Sequence, residues 1–315
     1  MSLRSYIRAL ALLGCVTFAC ALAPKVSADA RAHFYAPVEP EPTLAASHRL
    51  HWDPQWPYFR PFGYVLTGVS VVGALAATFL IEYPKQPRWA GGVLFDDDIR
   101  SALRVSQHSA RDAIRLASDL TLLTNLLQVA VIDSVVIPLA DRSPGIAAQL
   151  SLINAQAFAL NVLVSTVLFK IVARQRPLIS DCERDADFDP LCKIGQYASF
   201  PSSHTSTAFT AAGLTCVHHQ HLPLYGGPWD LVACIESLTV AFATGLFRSM
   251  GDRHYATDVL MGAAIGLTVG YLYPWLSHYR VTSDSPTAAE RADPMAPRSV
   301  TMPMPAYTFS FGGEL

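Results

Sequence analysis

Charge is what this chain has little of. Acidic and basic residues make up only 15% of its 315 residues and nearly cancel, at a net charge of −2. With so small an excess of either sign there is no global field to gather a nucleic acid, and that class of partner is set aside. Internal repeats are lacking too. Cysteine is sparse, and its six copies divide by setting. Cys15 and Cys20 lie in an N-terminal apolar run, while Cys216 and Cys234 sit in apolar stretches where a buried thiol is expected. Cys182 and Cys192 share one polar loop, close enough to bridge, which suits an oxidising compartment. What replaces charge is apolar sequence, at 51%, a membrane-leaning balance.

Residues 1–30 read as a signal peptide or N-terminal anchor: Arg4 and Arg8 precede the apolar run 9–23, and Ala28-Asp29-Ala30 offers a cleavage pattern. Cleavage is the favoured expectation and an uncleaved anchor the alternative. Residues 31–61, rich in Pro, His and Trp, form an irregular lead-in. Residues 62–276 read as an all-α domain, a six-helix transmembrane bundle with apolar runs at 62–81, 120–140, 146–169, 203–217, 231–247 and 256–275. A surface-lying helix is expected within the polar stretch 82–117, and a disordered tail over 277–315. Asn125, Asp133, Asn154 and Asn161 fall inside predicted spans, where helix-to-helix hydrogen bonding is the expected use. Nothing in the sequence points to an oligomeric state.

Three polar islands stand at helix ends: 170–177, 199–204 and 248–258. If the helices alternate in direction, all three meet on one face of the membrane, where the active site is expected. Their guanidinium groups, ammonium and two histidines, with a carboxylate placed to serve one of them, suit a phosphoryl group handled by positioning and charge. Arg176 and Arg248 can each grip phosphate oxygens through a planar fork. Pro201-Ser202-Ser203-His204 precedes an apolar helix, so Ser202 and Ser203 can cap it and leave outward amides as an anion cradle. His204 is placed to protonate a leaving oxygen. His254 and Asp258 are four residues apart and share a helix face, so the carboxylate can hold one imidazole nitrogen and free the other to attack phosphorus. Two other groups of polar residues carry no site. The alternating acids Asp181, Glu183, Asp185, Asp187 and Asp189 lack the calcium-loop turn and are read as solvated loop. His218, His219 and His221 are read as polar surface between spans. No metal and no cofactor are expected.

The three islands resemble the motifs of the phosphatidic acid phosphatase type 2 superfamily, whose pattern is KxxxxxxRP, PSGH and SRxxxxxHxxxD. Here they read Lys170 to Arg176-Pro177, then Pro201-Ser202-Ser203-His204, then Arg248, His254 and Asp258. The resemblance implies hydrolysis of a phosphate or diphosphate ester of a membrane lipid, with no metal. His254 would form a phosphohistidine, Asp258 would orient it, and His204 would protonate the leaving group and later activate water. Ser203 stands where the family has Gly, and Phe247 where it has Ser. Lys170 is one residue closer to Arg176 than the pattern requires, about 100° of helix rotation, and Arg174, on its face, is the alternative phosphate ligand. Rival readings are a secreted soluble acid phosphatase, a vanadate-holding haloperoxidase, and a non-enzymatic membrane protein with a decayed site.

Sidedness is contested within the sequence. A cleaved signal followed by six spans puts the islands in the cytoplasm, and six Lys and Arg residues in 82–117 lean the same way. The Cys182 and Cys192 pair and the habit of the resembled family favour a periplasmic site in a bacterial-type inner membrane, which is the expectation adopted. It requires that residues 31–61 stay inside, or that the first span be re-entrant.

Overall fold

The computed structural model describes residues 49–280, apart from 83, 186–187 and 194. The expected signal or anchor, the lead-in before residue 49 and the tail beyond residue 280 lie outside the described residues. Among the described residues the chain is all-helical, with no strand beyond one isolated bridge between Trp89 and Arg174. The elements are α1 (Pro61–Leu80), α2 (Asp96–Leu103), α3 (His108–Leu127), α4 (Pro144–Val172), α5 (Ile179–Cys182), α6 (Ser203–His221), α7 (Pro228–Met250) and α8 (Ala256–Leu267). α3 continues through wider π-helical turns to Ala140, and α8 likewise to Tyr279.

Among the described residues, five helices are long and apolar enough to cross a membrane: α1, extended α3, α4, α7 and extended α8. Their outward residues are large and apolar, including Phe62, Val65, Val72 and Phe79 on α1 and Trp229, Leu231, Ile235 and Phe242 on α7. An exterior of this kind is stable against lipid and costly against water. The protein is therefore a multi-pass membrane protein. α6 does not qualify as a span by length and hydropathy, because its position demands something else: it is enclosed by α3, α4, α7 and α8, and thirteen of its nineteen residues are buried.

Small residues make that enclosure possible. Gly262, Gly266 and Gly270 recur every four residues along one face of α8, and a Cβ on Gly266 would stand 2.5 Å from the Ser206 carbonyl oxygen of α6. Only backbone fits there, so α6 and α8 dock at the separation that a small-residue seam permits. Polar residues between helices are satisfied by neighbours. Asn125 donates to the Ser237 carbonyl at 3.0 Å, Asn161 to Thr207 at 3.1 Å, and Asp133 accepts from Tyr225 at 2.6 Å.

Several expectations change. The second span begins at His108, because Arg111 and Arg115 in its first turns are buried and neutralised by Asp189, at 3.4 and 2.9 Å. The surface-lying helix shrinks to α2. Asp181 and Asp189 are not solvated loop: Asp181 pairs with Arg100 and Arg104, at 2.9 and 2.6 Å. The histidine run belongs to the last turns of α6, where His218 bonds Asn154 and Tyr279 and His219 bonds Asp230. Cys216 and Cys234 are joined in a disulfide between α6 and α7, and Cys182 and Cys192 in a second one. The last helix runs to Tyr279, past the expected start of the tail.

Candidate active site

α4 ends at Val172 because Ala173 adopts a left-handed conformation, φ 47° and ψ 48°. The chain then runs extended, with the Gln175 amide bonded to the Trp89 carbonyl and the Ser199 amide to the Arg174 carbonyl. α6 starts at Ser203, capped by the Ser202 hydroxyl, which accepts from the Thr205 hydroxyl at 2.8 Å. α8 starts at Ala256, and the Asp258 carboxylate reaches back to accept the Tyr255 amide at 2.9 Å. The Ser202 amide donates to the Asp258 carbonyl at 3.0 Å. That bond ties the starts of α6 and α8 together, so the second and third islands share one place.

At the centre stands His254, 3% exposed, and its two neighbours fix its tautomer. Nδ1 lies 2.7 Å from the Ser199 carbonyl, which can only accept, so Nδ1 carries the proton. Nε2 lies 3.1 Å from Arg176 Nη1, which can only donate, so Nε2 presents its lone pair. Burial first, then the charges of Arg176 and Arg248, hold the imidazole well below its ordinary pKa. The ring is thus neutral near pH 7, in the form a nucleophile needs.

Asp258 does not hold His254 directly, as the helix spacing suggested. Its nearer oxygen is 3.9 Å from Nδ1. The capping geometry explains why: that oxygen accepts the Tyr255 amide and, at 2.6 Å, the Ser199 hydroxyl, while the other accepts from Arg174 at 2.6 Å. The link runs through Ser199, whose hydroxyl is fixed by Asp258 and whose carbonyl fixes the imidazole.

Arg176 donates to the carbonyls of Gly195 and Arg253, at 2.7 and 2.9 Å, as well as to His254. Arg248 pairs with Asp119 of α3, and His204 Nε2 stands 3.2 Å from the same carboxylate. Arg176, Ser202, Ser203, His204, Arg248, His254 and Asp258 are thus brought together at one end of the bundle. Lys170 and Arg174 are not brought to its phosphate side. Lys170 points to the end of α1, where Nζ donates to the Ile81 carbonyl at 2.7 Å. Arg174 is wholly buried between the rings of Trp89 and Tyr255, 3.9 and 4.1 Å away, and is consumed by Asp96 and Asp258. Lys170 is directed by its own place in the last turn of α4, while Arg174 lies past the left-handed Ala173, which breaks the helical register between the two.

Asp119 and Asp96 are neighbours that sequence reasoning missed, and Ser199 and Arg253, though inside the polar islands, were given no role there. A single acid bordering an apolar run was the one available sign of Asp119.

Residues 151–282 match the family model described as the PAP2 superfamily. Over 81 residues the chain is 48% identical to a lipid A 1-phosphatase of Porphyromonas gingivalis, covering 25% of this chain and 16% of that protein. Over 92 residues it is 32% identical to a probable diacylglycerol pyrophosphate phosphatase of Schizosaccharomyces pombe, covering 26% of this chain and 33% of that one. The chain thus spans a third or less of the length of these curated relatives. A crystal structure of a transmembrane PAP2-type phosphatidylglycerolphosphate phosphatase from Bacillus subtilis superposes with a TM-score of 0.43 at 21% identity, over 68% of this chain and 92% of that one, a likeness too distant to carry an argument.

Proposed function

We propose that the chain, whose residues 151–282 match the PAP2 superfamily, is a member of that superfamily and a membrane phosphatase that hydrolyses a phosphate or diphosphate ester of a lipid through a phosphohistidine at His254. The observation that carries this reading is the locked imidazole, with Nδ1 donating to Ser199 and the Nε2 lone pair turned to Arg176. A histidine kept only for packing has no need of an unprotonated nitrogen held by a guanidinium group.

In this reading the phosphoryl group sits against His254 Nε2. Arg176, Arg248 and the amides at the start of α6 from Ser203 onward meet its oxygens, the Ser202 amide being held by the Asp258 carbonyl. Nε2 attacks phosphorus, the ester bond breaks, and His204 gives its proton to the departing oxygen. His204 then takes a proton from water, which attacks the phosphohistidine, releasing phosphate and restoring His254. Asp258 acts through Ser199 by keeping the proton on Nδ1. The charge that builds on the transferred group is met by side chains and amides, so the reaction is expected to run without a metal ion.

The substrate class follows from where the site lies, at the ends of helices whose outer faces are apolar. A lipid headgroup held at the membrane surface reaches it, and both curated relatives are named for lipid phosphates. A soluble acid phosphatase has no use for the exposed faces of α1 and α7. We place the site on the periplasmic face, since the Cys182–Cys192 bridge lies in the segment that joins the first two islands. The test is phosphate release by purified protein in detergent from a panel of lipid phosphates and diphosphates, with EDTA and with vanadate. Activity that survives EDTA and is blocked by vanadate is expected; loss with EDTA and rescue by a divalent ion contradicts the reading.

A further inference from the structure

Around the site, most cations are already matched by carboxylates. Arg248 has Asp119, Arg111 and Arg115 have Asp189, and Arg100 and Arg104 share Asp181 and Asp252. Arg253, next to the nucleophile, is different. Its backbone carbonyl positions Arg176, yet no carboxylate among the described residues pairs with its guanidinium, and Nη1 is buried with no hydrogen-bond partner. Its position is set by the turn it occupies. Asp252, the residue before it, has a left-handed φ of 59° and pairs with Arg100 at 2.7 Å rather than with Arg253. There its charge acts on both site histidines as well as on Arg248 and Arg115. A half-buried guanidinium with a buried, unpartnered Nη1 beside like charges is unfavourable unless an anion completes it.

We propose that Arg253 is the binding group for a second phosphate, and that the site is built for the diphosphate of a lipid rather than its monophosphate. The proposal rests on the phosphatase reading above and adds the substrate class. The terminal phosphoryl group lies against His254, Arg176 and Arg248, and the phosphate joined to the lipid lies against Arg253 on the His204 side. His254 Nε2 forms a bond to the terminal phosphorus as the bond to the bridging oxygen breaks. The electron pair stays on that oxygen, which becomes a terminal oxygen of the departing lipid monophosphate. Arg253 holds the charge that gathers there. Water, deprotonated by His204, then attacks the phosphohistidine and frees orthophosphate. Burial, then Arg115 and Arg248, lower the Arg253 pKa to about 10, so the group is still charged near pH 7.

The test compares kcat/KM for farnesyl diphosphate and farnesyl monophosphate in detergent, for the wild type, Arg253→Ala and Arg253→Lys. The wild type is expected to favour the diphosphate, and Arg253→Ala to lose at least about tenfold more on the diphosphate than on the monophosphate, with Arg253→Lys between them. Equal losses on the two substrates, or no loss on either, overturn the subsite and leave the phosphatase reading standing. A wild type inactive on both overturns the phosphatase reading itself. Should Arg253→Ala fail to fold, inhibition of the wild type decides. Pyrophosphate is expected to bind at least about tenfold tighter than orthophosphate, and equal inhibition refutes the second site.

Discussion

His254 is a neutral imidazole because it is buried among cations, and its chemistry should show that in its pH dependence. Protonation removes the Nε2 lone pair, so activity is lost as pH falls through the pKa of the free enzyme. Since burial, Arg176 and Arg248 all lower that pKa, the acid limb of kcat/KM is expected below the ordinary imidazole value of about 6.5. Arg176→Gln should move the limb upward, and a wild-type limb at or above that value contradicts the geometry. Arg176→Lys should be strongly impaired even though charge is kept, because one ammonium cannot serve Gly195, Arg253 and His254 together. Asp258→Asn should cost about 10- to 100-fold in kcat, the scale of a partner that acts through another group, and Ser199→Ala should resemble it. A Ser199→Ala protein with full activity would break the proposed relay. The convergence of His254, His204, Arg176 and Arg248 was readable in the sequence, since motif spacing at helix ends is local. The places of Asp258, Lys170 and Arg174 were not: Asp258 is taken up by the Tyr255 amide, Ser199 and Arg174, Lys170 by the Ile81 carbonyl, and Arg174 lies past the left-handed Ala173, which no composition signal announces.

At the scale of elements, the site depends on how closely α6 and α8 approach. Ser202, His204, His254 and Asp258 all hang from the starts of these two helices, joined by the Ser202 to Asp258 backbone bond. Gly266→Val places atoms where the Ser206 carbonyl already stands. Overpacking of this kind costs about 1–3 kcal/mol, and it should lower the melting temperature in detergent together with activity. An unchanged melt and full turnover would show that the seam is not needed. The apolar runs made the helices visible in sequence, but α6 looked like one more span. Its burial on every side, like the buried pairs of Arg111 and Arg115 with Asp189, depends on which helices are neighbours. The same is true of the Cys216–Cys234 bridge, whose partners are apart in sequence and apolar in setting.

For the whole molecule the open question of sidedness now has firmer terms. α1 runs beside α4 from Gly63, whose carbonyl accepts from Gln156, to the Lys170 contact at Ile81, so it is a full-length helix and not a re-entrant one. Four of the six basic residues that argued for a cytoplasmic site are engaged by Asp181, Asp189 and Asp252, which gives them a structural reason to lie there apart from topology. A periplasmic site predicts that Cys182 and Cys192 in intact cells react with a membrane-impermeant maleimide only after mild reduction; labelling that needs lysis and no reductant would put the site inside. The most direct test of the central claim is to trap the covalent intermediate. Purified protein is quenched in denaturant during turnover of a lipid substrate carrying labelled phosphate. The expected result is label on the protein that is stable in alkali, labile in acid, mapped to His254 and absent from His254→Ala. A His254→Ala protein that folds, turns over normally or carries the same label on another residue would contradict the phosphohistidine mechanism.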